Sequence, residues 1–232
     1  MKNQDINKTL FLLATLLFAA CKKDEPITPV VTTEYVVETI VPTGNEQFLT
    51  KGSDYIFDQT RLHTFEINLP NSQLNKLDAN PAAEKYVAGT LTFEGEKISP
   101  IGIRYKGSIG AFIGCLSGPD LGNPSGYKTC TKLSMQLKIN WLDPDNKFYG
   151  LKKIQLHSQN SDPSQMHERL AYWLFRAMGV PAPRSVHARV IINGQYMGLF
   201  ALTEEVDGRF TRENFEDGGG NLYKEIWPDR KS

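Results

Sequence analysis

Several short stretches in the middle of the chain alternate apolar and polar positions, a pattern that predicts β-strands. Between residues 131 and 140, Leu, Met, Leu and Ile alternate with Lys, Ser, Gln and Lys. This stretch is predicted to form a half-buried strand with one polar face. Further strands are predicted at residues 63–69, 86–93, 97–105 and 151–156.

A pattern with helical spacing follows at residues 162–179. Asp162 can cap the free amides of a helix that starts at Pro163, and Gly179 is predicted to end that helix. Apolar residues recur along one side and predict a buried stripe. Glu168 lies opposite this stripe and is predicted to be exposed to solvent. The stripe consists of Met166, Leu170, Trp173, Leu174 and Ala177.

The segment after this helix predicts a β-hairpin. Asn193-Gly194 separates two apolar stretches at 186–192 and 196–202, and this dipeptide favours a two-residue turn between antiparallel strands. A second, shorter helix is predicted at residues 71–79. Together these elements predict an α+β fold with a mostly antiparallel sheet and a packed helix.

The N-terminal residues are typical of an export signal. An apolar run at residues 9–20 is too short to cross a bilayer and ends at Cys21. Residues 17–21 resemble a bacterial lipobox, although Phe18 stands where leucine is usual. Residues 1–21 are therefore predicted to be a lipoprotein signal peptide with lipidation at Cys21. The alternative is ordinary signal cleavage that leaves Cys21 as a free thiol.

These features predict an exported, membrane-anchored lipoprotein at the outer membrane or cell surface. Residues 22–55 are rich in Pro and Thr and are predicted to be a linker, which leaves 56–232 as the folded domain. Cys115 and Cys130 then form an even pair in an exported chain and are candidates for a disulfide. The 26 basic and 26 acidic residues give a formal net charge of zero, which argues against a nucleic-acid partner.

Residues next to two predicted strands are candidates for binding phosphate. Lys106, Gly107 and Ser108 follow one strand, and a glycine there lets backbone amides approach a phosphate. Lys132 projects from a polar strand face, where an ammonium group can neutralise phosphate charge. Each feature also has a simpler explanation, since glycine-rich loops are often only turns and strand lysines are often solvated.

Two charged residues after the hairpin are further candidates. Glu204 leaves the second strand of the hairpin, and Lys224 follows a run of three glycines. A carboxylate in this position is suited to binding a ribose, a metal or a cation. Equally, the acidic segment could cap a short helix at residues 210–215.

Taken in order, these motifs resemble the CotH kinase family, the group of spore coat protein H. The resemblance covers about residues 56–224 and is carried by IRYKGS, KLSMQLKIN, DPSQMHERLAYWLFRAMGVPAPRS, VIINGQYMGLFALTEEVD and GNLYK. The family is described as atypical protein kinases that use ATP and a divalent metal to phosphorylate Ser or Thr on proteins.

The resemblance implies a fold like the N-terminal lobe of an atypical protein kinase. It also implies ATP with Mg²⁺ or Mn²⁺ as cofactors, and an exported or surface protein as substrate. A glycine loop is implied at Lys106, Gly107 and Ser108, and a phosphate-contacting lysine at Lys132. The segment from Glu204 to Asp207 would be an acidic hinge, and Lys224 would remain a candidate for ligand binding.

The chain departs from the family pattern in two places. His167 stands where the family commonly has arginine. The catalytic and metal-binding aspartates of the family are expected beyond Ser232, so the chain is predicted to be a truncated kinase with weak or no activity of its own. The alternative is a non-catalytic surface module that binds a protein or a polysaccharide.

Overall fold

The computed structural model describes residues 52–107 and 109–224, and seven strands in this part of the chain close into a barrel. Around the barrel the order is β1-β2-β3-β4-β5-β7-β6. The strands are β1 His63–Asn68, β2 Val87–Phe93, β3 Glu96–Tyr105, β4 Met135–Lys138, β5 Lys153–His157, β6 Ser185–Ile192 and β7 Gln195–Thr203.

Within these described residues, three short helices lie between strands, and a fourth follows the last strand. They are α1 Asn71–Ala79, α2 Ile109–Phe112, α3 His167–Ala177 and α4 Gly208–Asn214, with a 3-10 turn at Pro81–Ala83. The predicted hairpin is confirmed, because β6 and β7 pair antiparallel across Asn193 and Gly194. Both turn residues have positive φ angles, 49° and 80°, which explains the Asn-Gly pair.

The predicted α+β fold, with its kinase-like lobe and packed helix, is wrong. The barrel closes because β1 pairs parallel with β6, from His63 opposite Ala188 to Ile67 opposite Ile192. The other neighbouring strands pair antiparallel. The alternation of apolar and polar residues shows only that a strand is half-buried. It does not show which distant strand the segment pairs with, so the parallel pairing could not be predicted from it.

The interior of the barrel is filled by the apolar positions of the strands. Phe65 and Phe93 lie with their ring centroids 5.1 Å apart, and Phe148, from the connection between β4 and β5, packs edge-on against Phe93 at 5.0 Å. All three rings are fully buried. Since side chains alternate along a strand, the polar residues between these core positions lie on the outer surface of the barrel.

Helix α3 also differs from its prediction. It begins at His167, and Asp162 still serves its start by accepting a 2.8 Å hydrogen bond from the His167 amide. Gly179, at φ 77°, follows the end of the helix as predicted. The predicted buried stripe is wrong, because Leu170 is 51% exposed and Trp173 is 57% exposed, and the helix buries none of its residues. Helical spacing showed that one side is apolar but not which side meets the barrel.

The long connection between β3 and β4 is tied by a disulfide. Cys115 and Cys130 are bonded to each other, with their Cα atoms 4.7 Å apart. The predicted signal peptide, Cys21 and nearly all of the predicted linker lie outside the described residues. Within the described ranges, no helix is both long enough and apolar enough to span a membrane.

Candidate functional site

A row of polar side chains crosses the outer surface of five strands. Strand register places Arg104 opposite Gln136, Gln136 opposite Gln155, Gln155 opposite Thr203, and Thr203 opposite Ser185. Gln136, Gln155, Thr203 and Ser185 are buried, although they lie on the outer face. Buried polar groups are costly unless they are hydrogen-bonded, so this row points to an organised network.

Lys106 lies at the end of β3, where its ammonium group enters this network. Its Nζ donates to Oε1 of Gln155 and lies 3.0 Å from Nε2 of His157. Gln155 donates in turn to Glu205. The lysine is thereby held between two strand residues of β5, with Glu205 as the nearby carboxylate.

Glu168 of α3 contacts the outer surface of the strands and joins this network. Its Oε1 lies 2.7 Å from Nδ1 of His157 and accepts a 2.5 Å hydrogen bond from the Thr203 hydroxyl. An ammonium group can only donate, so Nε2 of His157 accepts from Lys106 and Nδ1 carries the proton that Glu168 accepts. The prediction that Glu168 faces solvent is wrong, because its side chain is only 20% exposed and meets the barrel.

Burial and charge act in opposite directions on these groups. Burial lowers the pKa of Lys106 below its ordinary value, and the negative charges of Glu205 and Glu168 oppose that effect. Burial by itself raises the pKa of Glu168, but the hydrogen bonds from His157 and Thr203 and the charge of Lys106 bring it below its ordinary value. The carboxylate is thus kept ionised beside a lysine whose charge is costly to bury.

A pocket of about 440 Å³ opens beside this network. Lys106, Gly107, His157 and Glu168 line it, together with the loop at residues 158–162. Such a volume suits a small ligand rather than an extended surface. We name Lys106, Gln155, His157, Glu168 and Glu205 the open cluster, because part of it faces this pocket.

The predicted site residues fall into different places. Lys106 and Gly107 line the pocket, and Ser108 lies outside the described residues. Lys132 donates a 2.6 Å hydrogen bond to the carbonyl of Leu199 and lines a separate pocket beside the disulfide. The two lysines that sequence reasoning assigned to phosphate are therefore not neighbours in one pocket.

Glu204 is enclosed in a different network. Its side chain is only 3% exposed, and its carboxylate is paired with the guanidinium groups of Arg184 and Arg209. It also accepts a 3.0 Å hydrogen bond from the Arg184 amide. We name these three residues the closed cluster. Its carboxylate has no surface to offer a ligand, which makes it part of the scaffold.

Lys224 contacts the open cluster at its edge. Its Nζ lies 3.2 Å from Oε1 of Glu205, and its side chain is 45% exposed. The sequence did not point to Gln155 or His157, and Glu205 was predicted only as part of the acidic hinge from Glu204 to Asp207. The polar side of the strands could have indicated Gln155, because it lies opposite Gln136 in the strand register. Glu205 directly follows Glu204, but its side chain accepts from Gln155 and so belongs to the open cluster.

The described residues do not assemble a metal site of their own. Across residues 52–107 and 109–224, no three His, Cys, Asp or Glu side chains are grouped so that they could hold a metal ion. The chemistry offered at the pocket is that of the Lys106 ammonium group, with the Gly107 amide next to it in the sequence. Both are donors suited to an anionic ligand.

Comparison with known proteins identifies the family. The family model described as CotH kinase protein matches residues 103–228, which includes Lys106, the hairpin and the end of the described chain. The chain belongs to the CotH family. The match spans the strands and helix that form the open cluster.

Two similar proteins carry related names. An inner spore coat protein H-like protein of Bacillus subtilis is 36% identical over 63 residues, which is 27% of this chain and 20% of that protein. The invasin CotH2 of Rhizopus delemar is 28% identical over 177 residues, or 75% of this chain and 26% of that protein. This CotH chain thus aligns with about a quarter or less of the length of either relative.

Proposed function

We propose that this chain supplies the ATP-phosphate-binding part of a CotH-type protein kinase. In this proposal the kinase transfers a phosphoryl group from ATP to Ser or Thr of an exported or surface protein. The observation that carries it is the Lys106 ammonium group, which borders a pocket of ligand size and is held in place from both sides. The family match supports the phosphotransfer part of the proposal.

Four residues of the open cluster, together with Gly107, have distinct parts in this function. Lys106 acts as a point charge that neutralises the triphosphate, and Gly107 brings a backbone amide beside it. Gln155 and His157 fix the position of the ammonium group, while Glu168 fixes the tautomer of His157. Phosphoryl transfer depends mainly on positioning and on neutralising charge, which is the chemistry these groups offer.

The divalent metal of the proposed reaction has no ligand set in the described residues. Mg²⁺ favours oxygen ligands in octahedral geometry, and the carboxylates of the open cluster are engaged with His157, Thr203, Gln155 and lysines. The proposal concerns the binding of phosphate by this chain's own donors.

Calorimetric titration of the full chain with a non-hydrolysable ATP analogue, with and without Mg²⁺, tests this function. Lys106→Met is expected to weaken binding by roughly 10- to 100-fold, because it removes one charge-assisted contact to phosphate. Lys138→Met is the matched control, since Lys138 also projects from a strand but lies over the ring of Tyr86, 5.6 Å from its centroid. Equal affinities of the Lys106→Met variant and the wild type would contradict the proposal.

One observation favours a second function, a non-catalytic surface module that binds a protein. Helix α3 presents Leu170, Trp173 and Leu174, each about half exposed, and contiguous exposed apolar side chains are typical of interaction sites. The same titration separates the two functions. A module of this kind predicts no binding of the ATP analogue at all, whereas the kinase predicts binding that depends on Lys106.

A further inference from the structure

Glu84 places a carboxylate against the donors of the glycine loop. Its Oε2 is paired with the guanidinium group of Arg104, and its Oε1 accepts a 3.2 Å hydrogen bond from the Gly107 amide. One carboxylate thus bridges a side chain of β3 and the backbone of the loop that follows it. Lys106 lies between these two donors in the sequence.

Guanidinium groups, ammonium groups and backbone amides are donors suited to a phosphoryl oxyanion. A guanidinium group and a backbone amide that donate to the two oxygens of one carboxylate can donate to two oxygens of one phosphate in the same way. We propose that Arg104, Lys106 and the Gly107 amide form a phosphoryl-binding subsite, and that Glu84 occupies it until an anionic ligand displaces its carboxylate. This subsite rests on the proposed function, since it names where the phosphate of the ligand lies.

Arg104 keeps its position without Glu84. Its Nε and Nη2 each donate to Oε1 of Gln136 at 3.2 Å, and its guanidinium group lies 5.2 Å from the ring centroid of Tyr86. Position 107 requires glycine, because a Cβ there would lie 2.2 Å from that of Ala111 and would shift the loop that carries the amide. The subsite is therefore formed by the protein itself, and Glu84 fills it as an additional group.

The backbone of Glu84 is held in an unusual conformation. Its φ of 49° and ψ of 32° are left-handed, a region that favours glycine, and its amide bonds to the carbonyl of Pro81 at the end of the 3-10 turn. This turn keeps the carboxylate beside the loop at a high local concentration. Displacement requires only that the side chain rotate away, because Glu84 belongs to no strand.

Binding of inorganic tripolyphosphate, measured by calorimetry on the full chain, tests the subsite without a nucleoside. Glu84→Gln removes the charge that competes with phosphate, so it is expected to bind tripolyphosphate about tenfold more tightly than the wild type. Glu84→Gly also removes the carboxylate and suits the left-handed backbone, so it is expected to show the same gain even if the glutamine variant folds poorly. Glu66→Gln, a change at an exposed position of β1, is the control and is expected to leave binding unchanged.

The outcomes separate this inference from the proposed function. Affinities of Glu84→Gln and Glu84→Gly that equal or fall below that of the wild type would overturn the subsite, even when ATP binding depends on Lys106. Tighter tripolyphosphate binding by both variants supports the subsite, even when no ATP analogue binds to the wild type. Failure of all three proteins to bind tripolyphosphate would overturn the subsite as well.

Discussion

Two adjacent glutamates at the end of β7 serve two different networks. Glu204 belongs to the closed cluster, where Arg184 and Arg209 surround a carboxylate that is 3% exposed. Glu205 belongs to the open cluster, where it accepts from Gln155 and lies 3.2 Å from the exposed Lys224. These two neighbouring acidic residues therefore have different roles. Glu204 stabilises the fold, and Glu205 lies at the edge of a pocket.

The difference lies in what each network leaves available. The closed cluster uses every oxygen of its carboxylate on arginine and on a backbone amide. In the open cluster, Lys106 lies beside a pocket and its neighbours are held by hydrogen bonds. The positive charge of this lysine is costly to bury, which is why its pKa is lowered. A saturated ion network stabilises a fold, whereas a positioned charge that borders a pocket is suited to a ligand.

The largest expected effect is on the free energy of unfolding, which substitution of Glu204 should lower far more than substitution of Glu205. Glu204→Gln leaves two partly buried arginines without their counter-charge and is expected to lower the free energy of unfolding by about 3–5 kcal/mol. Glu205→Gln should cost about 1 kcal/mol, since Lys153 and Lys224 reach solvent. Chemical denaturation of both variants measures the difference. Equal losses would show that the two clusters do not differ in this way.

A smaller effect concerns pH. Burial by itself raises the pKa of Glu204, but hydrogen bonds and charge from Arg184, with Arg209, bring it below the ordinary value of 4.5. The stabilisation is therefore fully present above that value and is lost as pH falls through the lower pKa of the folded state. The difference in unfolding free energy between wild type and Glu204→Gln should shrink as the solution is acidified below 4.5.

The control for this pH dependence is Glu213→Gln. Glu213 pairs with the same Arg209 but is 49% exposed, so its variant should track the wild type throughout the acid range. A constant difference between wild type and Glu204→Gln at every pH would mean that the Glu204 carboxylate is not stabilised by its arginine partners.

The local parts of the fold could be predicted from the sequence, and the long-range parts could not. The Asn193-Gly194 turn depends on neighbouring residues, so its pattern was sufficient. The alternation around Gln136 located a strand, although this strand covers only Met135–Lys138 of the predicted residues 131–140. Barrel closure depends on the pairing of β1 with β6. The side of α3 that meets the barrel depends on the contact between Glu168 and His157. Neither contact has a local signature, so the apolar stripe suggested the opposite orientation.

The candidate site shows the same limit. The glycine loop at Lys106 was found from the sequence because glycine after a strand is a local signal. The choice between Lys106 and Lys132 required the structure, because only strand register shows that His157 and Gln155 adjoin Lys106. Glu204 was chosen over Glu205 for the same reason, since the sequence does not show which carboxylate is already paired with arginine.

The most direct test of this account is lysine footprinting of the full chain, with and without ATP and Mg²⁺, read residue by residue by mass spectrometry. An amine-reactive reagent modifies the neutral form of lysine, and burial lowers the pKa of both Lys106 and Lys132, which makes that form more available at both positions. ATP is expected to protect Lys106 and to leave the reactivity of Lys132 and Lys138 unchanged. Protection of Lys132 with no change at Lys106 would contradict the assignment of the open cluster as the ligand site.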